Sequence, residues 1–276
     1  TRHFTMTNAQ DWQSQVGHNW ARMFRQTDRS FTGLTQRLLE RLEPLPAREV
    51  LDIGCGAGEL SLALARAKPG AQVTGVDISE ALIAVARDRA AGRPHAAFEL
   101  ADAACWSPPR PADLLVSRHG VMFFADPVAA FAHLRRTAAP GANLVFSCFR
   151  SPAENPWASA IAALLPPVQP GEPAYAPGPF AFADPDLVRA ILGDSGWKGV
   201  DFEAVDFAYI AGQGADPVAD AEAFFSVIGP FAQALRALEG EARAIMQRRL
   251  RVVLERHASD RLVAFPAAAW IVSAQA

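Results

Sequence analysis

Three glycines at alternate positions follow an apolar run that ends in an aspartate, in the stretch VLDIGCGAGEL of residues 50–60. A glycine-rich turn from a strand into a helix lets a ligand approach the backbone and offers it the amides of the helix N-terminus. A dinucleotide-binding loop needs its third glycine where this sequence has Glu59. Asp52 and Glu59 would also repel a pyrophosphate. The loop therefore disfavours NAD and favours a ligand with positively charged groups, such as an ammonium and a sulfonium.

Other residues capable of chemistry stand at the ends of later apolar runs. Asp77 and Asp102 each end such a run, and His119 comes just after a third. If these runs are parallel strands, their carboxyl ends meet at one edge of a sheet, which is where open α/β sheets bind ligands. A histidine at that edge would serve as a general base, or it would pack as a structural ring with one hydrogen bond.

The elements that would position these residues alternate between apolar strands and amphipathic helices, which predicts a parallel sheet covered on both faces. The predicted strands are residues 49–53, 71–77, 96–102, 113–117, 142–149, 199–210 and 267–274. We therefore predict one α/β domain over residues 46–276, with a doubly wound, seven-stranded, mostly parallel sheet whose last strand is antiparallel. Residues 1–45 have a helical pattern and would form an N-terminal lid segment. In that segment His18 stands between two tryptophans and is a candidate for the substrate pocket, with a structural role as the alternative.

Two stretches interrupt the alternation, at about residues 151–180 and 211–258, and would form the pocket for a substrate. The first is rich in proline and contains Trp157, Tyr175 and Phe180. A long loop of this kind in a compact domain is often functional, and aromatic side chains suit the walls of an apolar pocket. Ordinary packing within the loop is the alternative for all three rings.

Composition restricts the classes of partner. Half of the 276 residues are apolar and the net charge is −3, which is a globular composition without the basic character of nucleic-acid-binding proteins. No run of about 18 apolar residues predicts a membrane helix, and residues 1–12 contain no apolar signal core. The three cysteines are far apart and match no metal or disulfide spacing. We expect a cytoplasmic protein with no metal, no nucleic-acid partner and no membrane partner, which could form a homo-oligomer.

Four stretches in register resemble the motifs of class I S-adenosylmethionine-dependent methyltransferases. VLDIGCGAG is similar to their first motif, VTGVDIS to the end of their second strand, ELADAACW to the segment after it, and DLLVSRHGVMFFADP to their fourth strand and the following loop. Within this family the chain looks most like bacterial small-molecule methyltransferases related to the ubiquinone and menaquinone biosynthesis type. The resemblance implies a Rossmann-like methyltransferase fold and S-adenosylmethionine as the cofactor.

The resemblance also implies a role for individual residues. Asp77 would bind the ribose hydroxyls, Ile78 would pack on the adenine, and Asp102 would accept a hydrogen bond from the adenine amino group. The Ala103 amide would face the ring, and the Ser117 backbone would lie near the methionine moiety. The cofactor-binding set carried over in this way is Asp52, Gly54, Cys55, Gly56, Gly58, Asp77, Ile78, Asp102, Ala103 and Ser117. Cys55 reads as a small filler of the loop, since no basic residue stands near it in the sequence.

The expected activity is in-line transfer of a methyl group to a hydroxyl, an amine or an acidic carbon of a small molecule. Such a reaction needs alignment and exclusion of water more than covalent catalysis. The similar enzymes commonly have an aromatic residue at the position of His119, and this departure makes it the candidate catalytic base. Arg118 would contact an acidic acceptor or pair with a nearby carboxylate. The alternatives are a non-catalytic S-adenosylmethionine-binding module and a nucleic-acid methyltransferase.

Overall fold

The computed structural model describes residues 9–166 and 175–276, so parts of the predicted lid segment and of the proline-rich insert lie outside the described residues. The strands are β1 (Glu49–Ile53), β2 (Gln72–Asp77), β3 (Ala96–Leu100), β4 (Ala112–Arg118), β5 (Ala138–Phe149), β6 (Lys198–Gln213), β7 (Ala258–Ser259) and β8 (Leu262–Gln275). The α-helices are α1 (Ala9–Trp12), α2 (Gln15–Arg22), α3 (Phe24–Ser30), α4 (Thr32–Leu42), α5 (Glu59–Ala67), α6 (Glu80–Arg89), α7 (Pro127–Thr137), α8 (Pro156–Ala162), α9 (Pro185–Asp194), α10 (Pro217–Phe225), α11 (Gly229–Arg236) and α12 (Gly240–Glu255).

The sheet has the strand order β3-β2-β1-β4-β5-β8-β6, and the two-residue β7 pairs with β8. The neighbours from β3 to β5 are parallel, whereas β8 is antiparallel to both β5 and β6. The prediction of a seven-stranded, mostly parallel sheet with an antiparallel last strand is confirmed, with β7 as a small addition. Because the chain moves outward in opposite directions from β1 and β4, a crevice opens between their carboxyl ends. This crevice is the expected place for a ligand.

The core lies on both faces of this sheet, as the alternation of strands and helices predicted. On one face α4 and α5 bury Leu34, Leu38 and Leu64. On the other face the α7 ring of Phe131 packs against Phe146 of β5. Each of these side chains is at most 1 % exposed, so each is shielded from water almost completely. Burial of such apolar side chains stabilises the fold by roughly 2 kcal/mol each.

Aspartate–proline pairs begin α7, α9 and α10. In each pair the aspartate accepts a hydrogen bond from a backbone N–H of the first turn, and the proline occupies the first helical position. Proline fits there because the N–H that it lacks would have no partner within the helix. A cap of this kind is worth about 1 kcal/mol.

Strands β6 and β8 are longer than the sequence predicts. Their pairing runs from Lys198–Gln275 to Gln213–Leu262, whereas β5 pairs with β8 only as far as Phe149–Ala269. The outer parts of β6 and β8 therefore project past β5 as a two-stranded ribbon. Gly212 and Pro266 lie in this ribbon, and such residues read as strand ends in a sequence.

The N-terminal helices pack against the sheet edge and this ribbon. A Cβ on Gly17 of α2 would lie 2.3 Å from the Ser79 Oγ, so only glycine allows α2 this close to the start of α6. On α3 the guanidinium of Arg29 donates to the Ala211 carbonyl at 2.7 Å and pairs with Asp220 of α10 at 2.6 Å. These contacts hold α2 and α3 over the crevice. Within the described ranges 9–166 and 175–276, no helix is both long and apolar enough to cross a lipid bilayer.

Candidate functional site

A cavity of about 520 Å³ lies at the crevice between the carboxyl ends of β1 and β4. Its volume falls in the range of sites for small molecules and cofactors. The glycine loop after β1 and the end of β2 form one part of its wall. Aromatic residues from the N-terminal helices, the proline-rich insert, β6 and α10 form another part. One continuous space therefore joins the glycine loop to an aromatic region.

The glycines of the loop have different tasks. Gly54, Gly56 and Gly58 have φ values of +64°, +55° and +82°, a backbone region that residues other than glycine rarely adopt. A Cβ on Gly54 would lie 2.9 Å from the Gly120 Cα, and one on Gly58 would lie 2.7 Å from the Phe98 ring. A Cβ on Gly56 would meet no atom within 4 Å. Gly54 and Gly56 line the cavity, whereas Gly58 faces the packing under α5.

Asp77 ends β2 and its carboxylate is held by two backbone amides. Its Oδ2 accepts from the Gly56 N–H at 2.9 Å, and its Oδ1 accepts from the Ser79 N–H at 2.9 Å. Each carboxylate oxygen has a second lone pair, so Asp77 keeps acceptor capacity for hydroxyl donors in the cavity. Burial raises the pKa of Asp77, which opposes its ionisation until a ligand supplies further hydrogen bonds. Ile78, the next residue, also lines the cavity.

Asp52 is a buried acid beneath the same loop. It is 1 % exposed, and its Oδ2 accepts from the Ser61 hydroxyl at 2.6 Å. Burial raises the pKa of Asp52 to about 7, although the Ser61 hydrogen bond and the positive charge of Arg118 act in the opposite direction. A cation that binds beside Asp52 would therefore favour its ionised form.

The remaining residues of the predicted cofactor set divide into two groups. Asp102 and Ala103 line the cavity, and Asp102 is exposed, with its Oδ1 accepting from the Ala104 N–H at 2.9 Å. Cys55 lines the cavity as well, and burial raises the pKa of its thiol well above the ordinary range, which agrees with a filler rather than a nucleophile. Ser117 does not line the cavity. Its hydroxyl donates to the Ile53 carbonyl at 2.7 Å, which fastens the end of β4 to β1.

His119 lies where the glycine loop meets the aromatic region. Its φ of +57° is unusual for a residue with a side chain. The Nδ1 atom lies 2.8 Å from the Ser147 Oγ, and the ring lies edge-on to Phe149 with centroids 4.1 Å apart. The Nε2 atom is buried and has no hydrogen-bond partner in the part of the chain that the structure describes. Burial lowers the pKa of His119 well below its usual value and the charge of Arg118 lowers it further, so the ring is neutral.

Arg118 is engaged by acidic residues rather than free for an acidic acceptor. Its guanidinium pairs with Glu59 at short range and with Asp28 of α3 at 3.5 Å, and it donates to the Thr35 hydroxyl at 2.8 Å. It also lies over the Phe31 ring, 5.2 Å from the centroid. Burial lowers the pKa of Arg118, and the carboxylates of Asp28 and Asp52 oppose that shift. Of the two predicted roles for Arg118, the structure shows the pairing.

Among the aromatic residues that line the cavity, we group six under the name aromatic chamber: Phe31, Phe149, Trp157, Tyr209, Phe224 and Phe225. The rings of Trp157 and Tyr209 are stacked with centroids 4.6 Å apart and an interplanar angle of 10°. The Phe149 ring lies 4.9 Å from Trp157 and 5.8 Å from Phe31. The chamber draws its walls from distant parts of the chain, on α8, β5, β6 and α10 and at the start of α4.

Three predicted pocket residues do not line the cavity. Phe180 packs 6.1 Å from the Trp157 ring and stands behind it. Tyr175 donates from its hydroxyl to the Phe124 carbonyl at 2.8 Å and packs against Phe182. His18 is exposed on α2 with its Nδ1 2.9 Å from the Ser14 carbonyl, so its side chain is directed away from the cavity.

The sequence analysis also missed residues that line the cavity. Tyr209 lies on the projecting ribbon, and Phe224 and Phe225 lie on α10. The signal for Tyr209 was the alternation of apolar residues along the predicted strand 199–210. No sequence signal placed that strand beside the glycine loop. The described residues contain no group of three or more His, Cys, Asp or Glu arranged to hold a metal ion.

Comparison with protein families supports the assignment of the glycine loop. Residues 50–141 match a family model described as a methyltransferase domain. The trans-aconitate 2-methyltransferase of Variovorax paradoxus is 39 % identical over 124 residues, which cover 44 % of this chain and 46 % of that enzyme. The chain thus spans about half the length of the curated relatives that it matches.

Solved structures share the fold over most of the chain. Phosphoethanolamine N-methyltransferase 2 of Haemonchus contortus, in complex with S-adenosyl-L-methionine, superposes with a TM-score of 0.55 at 15 % identity, covering 98 % of this chain and 60 % of that one. The cyclase SpnF superposes with a TM-score of 0.52 at 19 % identity, covering 88 % and 80 %. At these identities the likeness concerns the fold alone. The motifs, the sheet order and the match to the family model thus make residues 50–141 similar to the methyltransferase domain of class I S-adenosylmethionine-dependent enzymes.

Proposed function

We propose that the protein transfers a methyl group from S-adenosylmethionine to a small-molecule acceptor. The observation that carries this proposal is the continuity of one cavity, which joins the glycine loop and Asp77 to the aromatic chamber. A methyltransferase must hold its cofactor and its acceptor in a common space so that sulfur, methyl group and acceptor atom lie in line.

The residues around the glycine loop fit the cofactor. Asp77 offers free lone pairs for two ribose hydroxyls, and Ile78, Asp102 and Ala103 line the wall where the adenine would lie. Asp52 is a buried acid whose ionisation a neighbouring ammonium would favour. The open side of Gly56 leaves room for the ligand to reach the backbone.

S-adenosylmethionine supplies a methyl group that its sulfonium already activates. The chain's own contribution is to orient the acceptor and exclude water from it. The apolar rings of the chamber and the helices α2 and α3 over the crevice serve this purpose. Ser117 supports the site indirectly, because its hydroxyl fixes the end of β4 against β1.

We propose His119 as the catalytic base for an acceptor that must lose a proton. Its support is its position on the cavity wall, its neutral state and its Nε2 atom, which has no partner in the described chain. Because Nε2 is buried, an acceptor would reach it only after a small displacement of a neighbouring ring such as Phe149. In the alternative, His119 is only a packed structural ring, and its substitution would leave kcat nearly unchanged.

The acceptor of the curated relatives is not carried over to this chain. Trans-aconitate is a tricarboxylate, and the match to those enzymes covers about half of their length. The low net charge of −3 supports a small molecule over a nucleic acid as the acceptor. Cytoplasmic location and homo-oligomer formation stay predictions.

Calorimetry with S-adenosylmethionine, S-adenosylhomocysteine and NADH tests the cofactor assignment. We expect both adenosyl ligands to bind and NADH not to bind. Asp77→Asn should weaken binding by roughly tenfold to a hundredfold, because it loses charge-assisted hydrogen bonds worth about 1.5–3 kcal/mol. Asp88→Asn, an exposed change on α6, is the matched control and should leave the affinity unchanged. Binding of NADH alone would refute the proposal.

A second measurement tests the catalytic role of His119. His119→Asn is the preferred variant because asparagine tolerates a positive φ, whereas phenylalanine there would be strained. We expect a fall in kcat of about a hundredfold, the usual range for loss of a general base, with cofactor affinity preserved. His95→Gln, at an exposed histidine, serves as the control. A kcat within threefold of the parent protein would leave His119 as a structural ring, and methyl transfer itself would still stand.

A further inference from the structure

We propose that the acceptor is an uncharged, flat, largely apolar molecule, so that the aromatic chamber selects aromatic ring compounds and rejects both carboxylates and ammonium ions. This inference rests on the proposed function, because it names the substrate class of the same cavity. It goes beyond the cofactor assignment, since none of the chamber rings belongs to the glycine loop or to β2.

The first support is the composition of the walls. All six chamber rings line the cavity, and Ala158, Ile161 and Ile228 fill the spaces between them with further apolar surface. The rings of Trp157 and Tyr209 hold each other in a parallel stack, which fixes the orientation of this part of the wall. Aromatic walls favour flat ligands, which pack against them in offset or edge-to-face contact.

The second support is the absence of a free positive charge. Among the described residues that line the cavity, Arg118 is the one with a guanidinium or ammonium group. Its charge is already shared between Glu59 and Asp28, and the Thr35 hydroxyl takes a further donor. A carboxylate that entered the chamber would lose its hydration without gaining a counter-ion. The neutral ring of His119 supplies none either.

The third support is the state of the carboxylates on the wall. Asp28 pairs with Arg89 at 2.9 Å, and Asp52 accepts from Ser61. Asp77 accepts two backbone amides, and Asp126 caps α7 through the Ala129 N–H. Asp102, the other carboxylate on the cavity wall, accepts from the Ala104 N–H after β3, and none of these five carboxylates is a chamber residue. An ammonium ion in the chamber would therefore meet no carboxylate, only ring faces and the neutral His119 ring, while losing its hydration.

A matched ligand set tests the charge preference of the walls. We would titrate the protein saturated with S-adenosylhomocysteine, which lacks the sulfonium charge, so that the binding preference reports on the chamber alone. The ligands are 2-naphthol, 2-naphthoate, 2-naphthylmethylammonium, the saturated alcohol decahydro-2-naphthol and trans-aconitate. We expect 2-naphthol to bind at least tenfold more tightly than each of the other four.

Variants locate this binding in the chamber. Trp157→Leu should weaken 2-naphthol binding at least tenfold and leave S-adenosylhomocysteine binding within twofold. Phe202→Leu is the matched control, because its ring lies on β6 against Trp270 and outside the cavity wall. A global loss of structure in Trp157→Leu would appear as lost S-adenosylhomocysteine binding, and Tyr209→Leu then provides the second test of the same ring stack.

The outcomes separate this inference from the proposed function. If S-adenosylhomocysteine binds but 2-naphthol shows no binding at 1 mM, the inference is overturned while the cofactor assignment stands. Tighter binding of the carboxylate, the ammonium ion, the saturated alcohol or trans-aconitate would overturn it as well. If neither S-adenosylmethionine nor S-adenosylhomocysteine binds, the proposed function itself fails.

Discussion

The Nδ1 atom of His119 lies 2.8 Å from the Ser147 Oγ, and the backbone N–H of His119 donates to the Ser147 carbonyl at 3.2 Å. These two contacts join His119, in the turn that follows β4, to strand β5. They hold its imidazole in place while its backbone has a φ of +57°. Since Nδ1 is engaged, Nε2 is the ring nitrogen without a partner in the described part of the chain. Ser147 is therefore a positioning residue for His119.

Ser147→Ala tests this positioning. Removal of the hydroxyl leaves Nδ1 without its partner in a buried place, which should destabilise the protein by about 1–3 kcal/mol. If His119 is the base, kcat should fall about tenfold because the ring loses its fixed orientation, while cofactor affinity stays within twofold. Thermal unfolding and steady-state kinetics measure the two effects. Ser159→Ala on α8 is the control, and an unchanged kcat in Ser147→Ala would exclude a positioning role.

Cofactor affinity should depend on pH through Asp52. Burial raises the pKa of Asp52 to about 7 in the protein without ligand, and the neighbouring charges of Arg118 and Asp77 act on it in opposite directions. An ammonium ion bound beside Asp52 requires its ionised form, so affinity for S-adenosylmethionine should rise about tenfold from pH 6 to pH 8 and then level off. Calorimetry across this range measures the rise. Asp52→Asn should flatten the profile, and an equally steep profile in this variant would refute the assignment.

The raised pKa of Asp52 should also make the unfolding stability depend on pH, and the stability should fall as the pH rises, whereas cofactor affinity should increase. The folded protein keeps the Asp52 proton up to about pH 7, whereas the unfolded chain loses it near the ordinary value of about 4. The stabilising contribution is therefore complete below about pH 4 and is lost as the pH rises to about 7. Without ligand, the Tm of Asp52→Asn relative to the parent protein should increase between pH 5 and pH 8. A Tm difference that does not change with pH would contradict the raised pKa.

Local patterns in the sequence were sufficient to predict the sheet and the meeting of the glycine loop and Asp77 at one edge of it. The strand ends at Asp52 and Asp77 follow from apolar runs of the right length, and parallel strands bring their ends to one edge. The register of the two strands places Asp52 opposite Gly75, so Asp77 stands just beyond it towards the crevice. Each of these steps depends on residues close in the chain.

The aromatic chamber could not be predicted in the same way. Tyr209, Phe224 and Phe31 are separated by many residues, and they meet because β6 projects past β5 and α10 packs on it. Nothing in the local sequence specifies that length of pairing. His18 was placed in the pocket from its tryptophan neighbours, but the phase of α2 directs it to solvent. The positive φ of His119 also had no sequence signal, since it arises from the turn into Gly120.

Substitutions in the glycine loop should separate packing from ligand access. Gly54→Ala places a methyl group 2.9 Å from the Gly120 Cα at a positive φ, so the backbone must move and stability should fall by about 2 kcal/mol or more. Gly56→Ala meets no atom within 4 Å and should cost about 1 kcal/mol for the strained φ alone. Because Gly56 lines the cavity, its added methyl group should weaken cofactor binding at least tenfold. Thermal unfolding and calorimetry on both variants check this contrast, and equal losses of stability would contradict it.

Arg118 should act on stability and on the position of α3 rather than on recognition of an acidic acceptor. Its side chain is 14 % exposed, and its partners Glu59 and Asp28 are 22 % and 16 % exposed, so the cluster is largely withdrawn from water. Arg118→Met leaves both carboxylates without their shared cation. We expect the free energy of unfolding to fall by about 2–3 kcal/mol, at or below the lower end of the range for a fully buried pair, because these groups are still partly exposed. Urea unfolding measures this loss. In the double variant Arg118→Met/Glu59→Gln the loss should be smaller than in Arg118→Met, because the unpaired charge of Glu59 is gone while Asp28 keeps its pairing with Arg89. Backbone amide hydrogen exchange should also become faster in α3, which Asp28 links to β4. If the free energy of unfolding of Arg118→Met stays within 0.5 kcal/mol of that of the parent protein, the cluster does not stabilise the fold.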